Sequence, residues 1–566
     1  MQVQSIKQQN IQEQKQPQFK GAVDTTMRFL ATNQAVGANG VDLTFMVMPR
    51  SVNDTAKRGP AAGLETFRRE IMGTVNDSSV GLFGAGAGAL VAYQLNKKYG
   101  TNVNKMFTDP NTLHILAENR AEQLKNNGSQ IEYFKTTLKN VRAYNPTSAQ
   151  SDKDGYVKLS DKTIDEVSRI LDEEINKKTN FNEWTKDKTL NSRTALLHKI
   201  AEDTGAEAGC KLESVNKKVV SETNVKALLN DLFIVTESFN KDKINDAFTA
   251  QLKDGKGIKE NVFIKGVNKF MKTRAAMGFA IASAIGLSVQ PINMYLTKLK
   301  TGTDGFVGVE GRSKDNSTGF LAAKFASSVA FFSMILGTLN MKPWQFTPKK
   351  FMDKMAFTGK MPTINQLKGI YGVTIISRIF SARDKDELRE VLTKDTLGYL
   401  SWLVLGDIVN RITANGLDKS VMNYKKGTEN SNYWKKMFYA NLKTRDEILI
   451  KTLADNNIST TKQVDGGIKA KSFKEMLKDL DKLSPEIKKA TRKRLTTLNR
   501  AQVAGYLFSG LVLGLGIPNL NIYITNTLDK KRKAEEAKKA KEVSIEEKSA
   551  DRAKEVALKP ELKQAV

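Results

Sequence analysis

Apolar positions along this chain fall into two patterns, uninterrupted runs and helical stripes. Residues 275–297 and 501–528 carry no charged side chain over 23 and 28 positions. As helices rising about 1.5 Å per residue, both can cross a hydrocarbon core of roughly 30 Å. The two runs share a motif. Each follows an arginine, Arg274 or Arg500, and opens with a glycine–aromatic step, Gly278-Phe279 or Gly505-Tyr506. Thirteen residues after that glycine comes Pro291 or Pro518. The runs then close with Asn293, Tyr295 and Thr297 in one and Asn521, Tyr523 and Thr525 in the other, at a one-residue offset. The agreement points to a repeated membrane element.

Weaker runs extend the pattern. Residues 319–341 are interrupted only by Lys324, which can snorkel from a helix end. Residues 78–96 are uncharged but rich in Gly and Ala, a marginal span. Segments 367–382 and 395–411 contain uncharged stretches too short to cross alone, which suit interfacial or buried helices equally well.

Stripes dominate elsewhere. Leu64, Phe67 and Ile71 recur at helical spacing, as do Ile164, Val167, Ile170, Leu171 and Ile175. Strand-type alternation is scarce. The expected fold is mostly α: a multi-segment helical membrane protein with helical water-soluble inserts. Its organisation reads as a Gln/Lys-rich tail (1–20), amphipathic helices with the marginal segment (21–96), and a charged helical domain (97–274). A membrane region (275–411), a second charged helical region (412–500), the last span (501–528) and a Lys/Glu/Ala-rich tail (529–566) follow.

Composition refines this picture. A mean hydropathy of −0.40 makes the membrane part a minority of the chain. Lys and Arg number 89 against 61 Asp and Glu, a net charge of +28, which suits anionic lipid headgroups. Nucleic acid is not expected, since the basic residues are interspersed with acids and no nucleic-acid motif occurs. The single cysteine, Cys210, excludes an intramolecular disulfide framework. The first twenty residues lack an apolar stretch of signal-peptide type, so internal segments are expected to drive insertion. The bias of Lys and Arg places 97–274 and 342–366 on the cytoplasmic face of a bacterial membrane, with loop 298–318 opposite. Both flanks of the last span are basic, so its direction stays open.

Short motifs add candidates. Gly84 and Gly88, and Gly510 and Gly514, have the spacing that lets helix backbones approach closely, within the chain or between copies. A dinucleotide loop at Gly84 lacks its second strand and is not expected. Asp152, Asp154 and Asp161 sit near calcium-loop positions, but Gln150 occupies the first position and an aspartate the last. An Asp-Gly turn before a capped helix explains the same residues. Arg378, Asp407 and Arg411 are charges in or beside the weak segments; Asp407 and Arg411, four apart, suit a pair at a wet helix end. No catalytic motif and no cofactor motif occurs, so an enzyme is not expected, although carboxylate chemistry is left open. The leading reading is a membrane-anchored structural or interaction protein with an unidentified protein partner. A transporter or channel using the repeated helices comes second, and a soluble protein with buried apolar helices third.

Overall fold

The computed structural model describes residues 19–32, 34–106, 108–179, 181–184, 192–207, 209–255, 257–302, 314–356, 363–428, 430–464 and 467–558. The chain is mostly α-helical. Its architecture is a bundle of long helices with an end domain built on one end.

Two helices of 40 residues, Pro60–Tyr99 and Val262–Thr301, form the spine of the bundle. They run antiparallel. Arg68 faces Asn293, Asn76 Nδ2 donates to Ala282 O at 2.9 Å, and a Cβ on Gly88 would meet Phe270 and Arg274 at 3.2 Å. Gly84 and Gly88 are both buried on this seam, so the small-residue face is covered by the chain's own helix. At its start, Gly59 at φ 93° reverses the chain directly before Pro60.

Successive contacts give seven rods of alternating direction among the described residues: 34–58, 60–99, 262–301, 318–338, 364–381, 385–417 and 485–528. Asp42 pairs with Thr74 while Asp54 pairs with Thr66, so 34–58 runs antiparallel to 60–99. Lys324 donates to Phe380 O while Lys368 donates to Thr338 O, setting 318–338 against 364–381. Three rods contain a π-helical turn: Asp42–Val47, Ser401–Leu405 and Leu511–Gly516. These turns lie against one another, with Gly510 and Gly514 admitting Phe45 and Pro49. Such wider turns recur at functional sites in helices.

Among the described residues four helices are long and apolar enough to cross a membrane: Ser78–Tyr99, Val262–Lys300, Thr318–Thr338 and Pro485–Leu528. Only about a third of each apolar window is buried, and Met277, Ile285, Phe325, Leu507 and Leu511 point outward. The weak segment 367–382 forms the interior rod Ile364–Ser381, screened by its neighbours. That screening explains its short apolar run, because an interior rod can carry Gln366, Thr374, Ser377 and Arg378 if each finds a partner.

The end domain joins both charged regions. In it Ile164, Val167, Ile170, Leu171 and Ile175 are buried as one face. It also holds an antiparallel sheet of β1 (Val141–Tyr144), β2 (Tyr156–Lys158), β3 (Gly209–Glu213) and β4 (Val220–Asn224), in the order β2-β1-β3-β4. The strands are three to five residues long, too short for their alternation to stand out in sequence. The second charged region packs on the first. Ala201 shares a core with Leu449, Leu453 and Met476, and His198 Nδ1 lies 3.2 Å from Thr460 O. The last long helix therefore leaves the end domain, passes Gly406 at Gly505, and reaches Lys57 at Asn519 near the opposite end.

Candidate functional site: a charged cavity inside the bundle

A network of buried charge lies in the half of the bundle remote from the end domain. Glu70, 3% exposed, is the hub. Its Oε1 lies 3.5 Å from each of Arg50 Nη1, Arg69 Nη2 and Lys394 Nζ, and its Oε2 lies 3.3 Å from Arg378 Nη2. Arg378 also donates to Asp395 Oδ1 at 3.0 Å. Four cations thus share two carboxylates away from bulk water, where charge must be paired to be tolerated.

A cavity of about 70 Å³ adjoins this hub. Its walls include Arg50, Arg69, Arg378 and Lys394, the carboxylates Asp54, Glu387, Glu390 and Asp395, and the amides Gln290 and Asn521. Asp54 accepts from Thr66 Oγ1 at 2.6 Å, and Arg383 holds Glu387 through its backbone N at 2.8 Å and its Nε at 3.0 Å. About 10–15 Å³ suffices for one water, so the cavity has room for several waters or one small polyatomic ion.

Both repeated elements reach this region. Gly278 and Gly505 are buried at the glycine–aromatic steps, and an added Cβ at Gly505 would collide with Asn410 and the Gly406 carbonyl. Asn293 and Thr297 turn inward while Tyr295, 63% exposed, turns out; Asn521 turns inward while Tyr523, 70% exposed, turns out. Their roles then differ. Asn293 is tied down, accepting from Arg68 Nε at 2.9 Å and donating to Val289 O at 2.9 Å. Thr297 donates to Glu65 at 2.9 Å. Asn521 Oδ1 has no hydrogen-bond partner among the described residues, and Asn521, with Pro518, walls the cavity. Pro291 is exposed within a continuous helix, whereas Pro518 is buried just after a π-helical turn. The Thr525 side chain lies outside the described residues.

The remaining candidates are placed elsewhere. Asp407 and Arg411 form an i, i+4 pair at the end-domain side, where Arg411 also donates to Phe438 O at 2.6 Å. Asp152 occupies the β1–β2 turn, its Oδ1 accepting from Asp154 N and Tyr156 N at 2.9 Å, with Gly155 at φ 89°. Asp161 instead opens the Asp161–Asn176 helix behind its Ser160 cap. The structure does not bring Asp152, Asp154 and Asp161 together. Among the described residues no group of three or more His, Cys, Asp or Glu stands ready to hold a metal ion.

The end domain has a wider cavity of about 480 Å³, walled in part by Tyr144, Tyr156, Cys210, Glu222 and Asp231. Burial pushes the Cys210 thiol up to about 12, so it stays protonated and a poor nucleophile at neutral pH. Burial, with nearby Asp109, also holds the Asp231 carboxyl well above the usual range.

Sequence reading singled out Arg378, Pro518 and Asn521 but missed Arg50, Glu70, Gln290, Lys394 and Asp395. Glu70 stands about a quarter-turn around the helix from the Leu64–Phe67–Ile71 stripe, so local periodicity does not single it out. Scans against protein-family models, curated proteins and solved structures return no match for this chain.

Proposed function

We propose that the chain is a multi-span membrane protein whose bundle passes a small charged solute by way of the Arg50–Glu70–Arg378 cavity. The observation that carries this is one cavity walled by buried charges and by both repeated elements, inside a bundle whose outer face is apolar. Buried ionisable groups within spanning helices mark solute and ion pathways more often than they serve stability. The π-helical turns and Pro518 interrupt regular backbone near the same interior, as solute-binding helices do. On this reading the seven rods sit in the bilayer and the end domain stays in water.

Reconstitution into sealed vesicles tests the reading. Solute flux is expected with the intact chain, and Asn521→Ala should reduce it about tenfold while leaving the fold intact. Asn293→Ala should instead lower stability, since Asn293 bonds protein rather than cavity. A flux that Asn521→Ala leaves unchanged would overturn the proposal.

A membrane-anchored interaction protein is the second reading. The observation favouring it is that the two charged regions fuse into one end domain, a sizeable platform for a protein partner. It expects no flux at all and full retention of the chain in membranes washed with alkaline carbonate.

A further inference from the structure

We infer that the cavity binds a small monovalent anion, of halide, nitrate or formate size, on the guanidinium of Arg50. This deepens the solute-pathway reading and rests on it for its biological meaning. Arg50 is 1% exposed, yet its Nε, Nη1 and Nη2 have no hydrogen-bond partner among the described residues. Its one ionic contact is Glu70 at 3.5 Å, beyond the usual length of a charge-assisted hydrogen bond, and three other cations share that carboxylate. A guanidinium carries five donors, and leaving them unmade in a buried site costs free energy.

The surroundings keep that guanidinium in place. It projects from the Met48–Arg58 helix into the cavity wall, and a Cβ on Gly398 would stand 3.1 Å from Nη2. Gly398 therefore provides the close approach that lets Arg50 reach the site. Across the cavity, Gln290 and Asn521 are 5% and 7% exposed and lack protein partners at Oε1 and Oδ1. Side-chain amides turn readily, so each can present an N–H to an anion held by Arg50. Of the four carboxylates in the wall, Asp395 pairs with Arg378, Glu387 with Arg383 and Asp54 with Thr66, and Glu390 is the fourth. An oxyanion or halide completes the donor set of Arg50 without displacing those pairs. The limited volume excludes bulky organic anions.

Titration of the full chain in nanodiscs, followed by thermal unfolding, tests this. Sodium chloride, nitrate or formate replaces sodium gluconate at constant ionic strength. A saturable rise in the unfolding midpoint is expected for the three small anions and none for gluconate. Arg50→Gln should weaken the apparent affinity at least about tenfold, and Gly398→Ala and Asn521→Ala severalfold. If Arg50→Gln does not fold, Arg50→Lys keeps the charge, loses the planar fork and should still weaken oxyanion binding. Equal stabilisation by gluconate, unchanged affinity in these variants, or a response to glycine without one to formate would each overturn the inference. Anion binding without vesicle flux would remove the transport reading and leave the site standing. Flux indifferent to the small anion and to Arg50 would remove the site and leave transport standing.

Discussion

In the end domain, the Asp161–Asn176 helix turns Ile164, Val167, Ile170 and Leu171 inward and its charges outward. The first turns of Pro60–Tyr99 do the opposite: Thr66, Arg69 and Glu70 are buried, while Leu64 is 60% exposed. The contrast holds across both regions. Among the described residues between 97 and 261 the large apolar side chains left exposed are Val215 and Val220, and the second charged region adds the aromatics Tyr433, Trp434, Phe438 and Tyr439, whereas the rods expose the aliphatic Leu82, Ile281, Leu507 and Leu511 and Phe325 among many others. Inside, the end domain packs Phe134, Trp184, Leu232 and Phe233 and also buries Asp231, Arg445, Asp446 and Glu447, while the bundle gathers Arg50, Glu70, Arg378 and Asp395 into one network beside its aromatic core of Tyr371, Tyr399 and Trp402. Burying apolar area is the driving force in water, and the end domain spends its sequence on that. Such a force does not explain the rods, which leave apolar area outside and bring charge in. On the proposed membrane reading, an apolar solvent around the bundle would account for both choices.

Breaking the interior network should have the largest effect. Arg378→Met leaves Glu70 and Asp395 less compensated and is expected to cost about 3–5 kcal/mol, read as a drop in unfolding midpoint in detergent. The matching change in the end domain, Arg169→Met, removes an exposed i, i+4 pair with Glu173 and should cost about 0.5 kcal/mol or less. Charging the outer face comes next. Phe325→Lys is expected to disfavour insertion by about 2.5–3.5 kcal/mol, measured as the membrane-retained fraction; the same change at Val215 should leave expression and retention unaltered. Overpacking a rod contact is smaller. Gly510→Ala would set a Cβ 2.7 Å from the Phe45 ring and should cost about 1–3 kcal/mol.

The last effect is one of pH and is confined to the end domain. Burial, with Asp446 and Glu447 nearby, pushes the Glu207 carboxyl up from 4.5 to about 8. The folded state therefore holds that proton more tightly than the unfolded chain does. Its contribution is fully present below about 4.5 and is lost as pH rises toward about 8 and beyond. Glu207→Gln should flatten that decline in a pH series of unfolding midpoints. The cluster also receives Arg28 of the Phe19–Thr32 helix, which bonds Asp446 at 2.7 Å and favours the ionised form of Glu207, so that helix should stay docked as pH rises.

Much of the mostly helical fold was legible because runs and stripes are local. Segments 275–297 and 319–341 lie within or across the helices Val262–Thr301 and Thr318–Thr338, and the stripe from Ile164 to Ile175 is a buried face. The wet Asp407–Arg411 pair was legible at a separation of four. Arg378 looked the same in sequence and is not, because Glu70 stands 308 residues away. Nothing local marks such a pairing. The rod 34–58 was hidden for a related reason, since Asp42 and Arg50 carry charge toward the interior and break its apolar run, and of 385–417 only the weak segment 395–411 was visible. The strands escaped notice because each is too short to establish a period.

The surroundings of the rods can be measured directly. Spin labels on single cysteines at Phe325, Leu507 and Leu511, with the chain in lipid vesicles, report collision with oxygen and with a water-soluble nickel chelate. Native Cys210 is 2% exposed with its thiol pushed up to about 12, so it should stay unlabelled. Oxygen collisions should exceed nickel collisions at all three rod positions, and the order should reverse at Val215 in the end domain. Nickel collisions dominating at positions 325, 507 and 511 would contradict a bundle whose apolar face meets lipid.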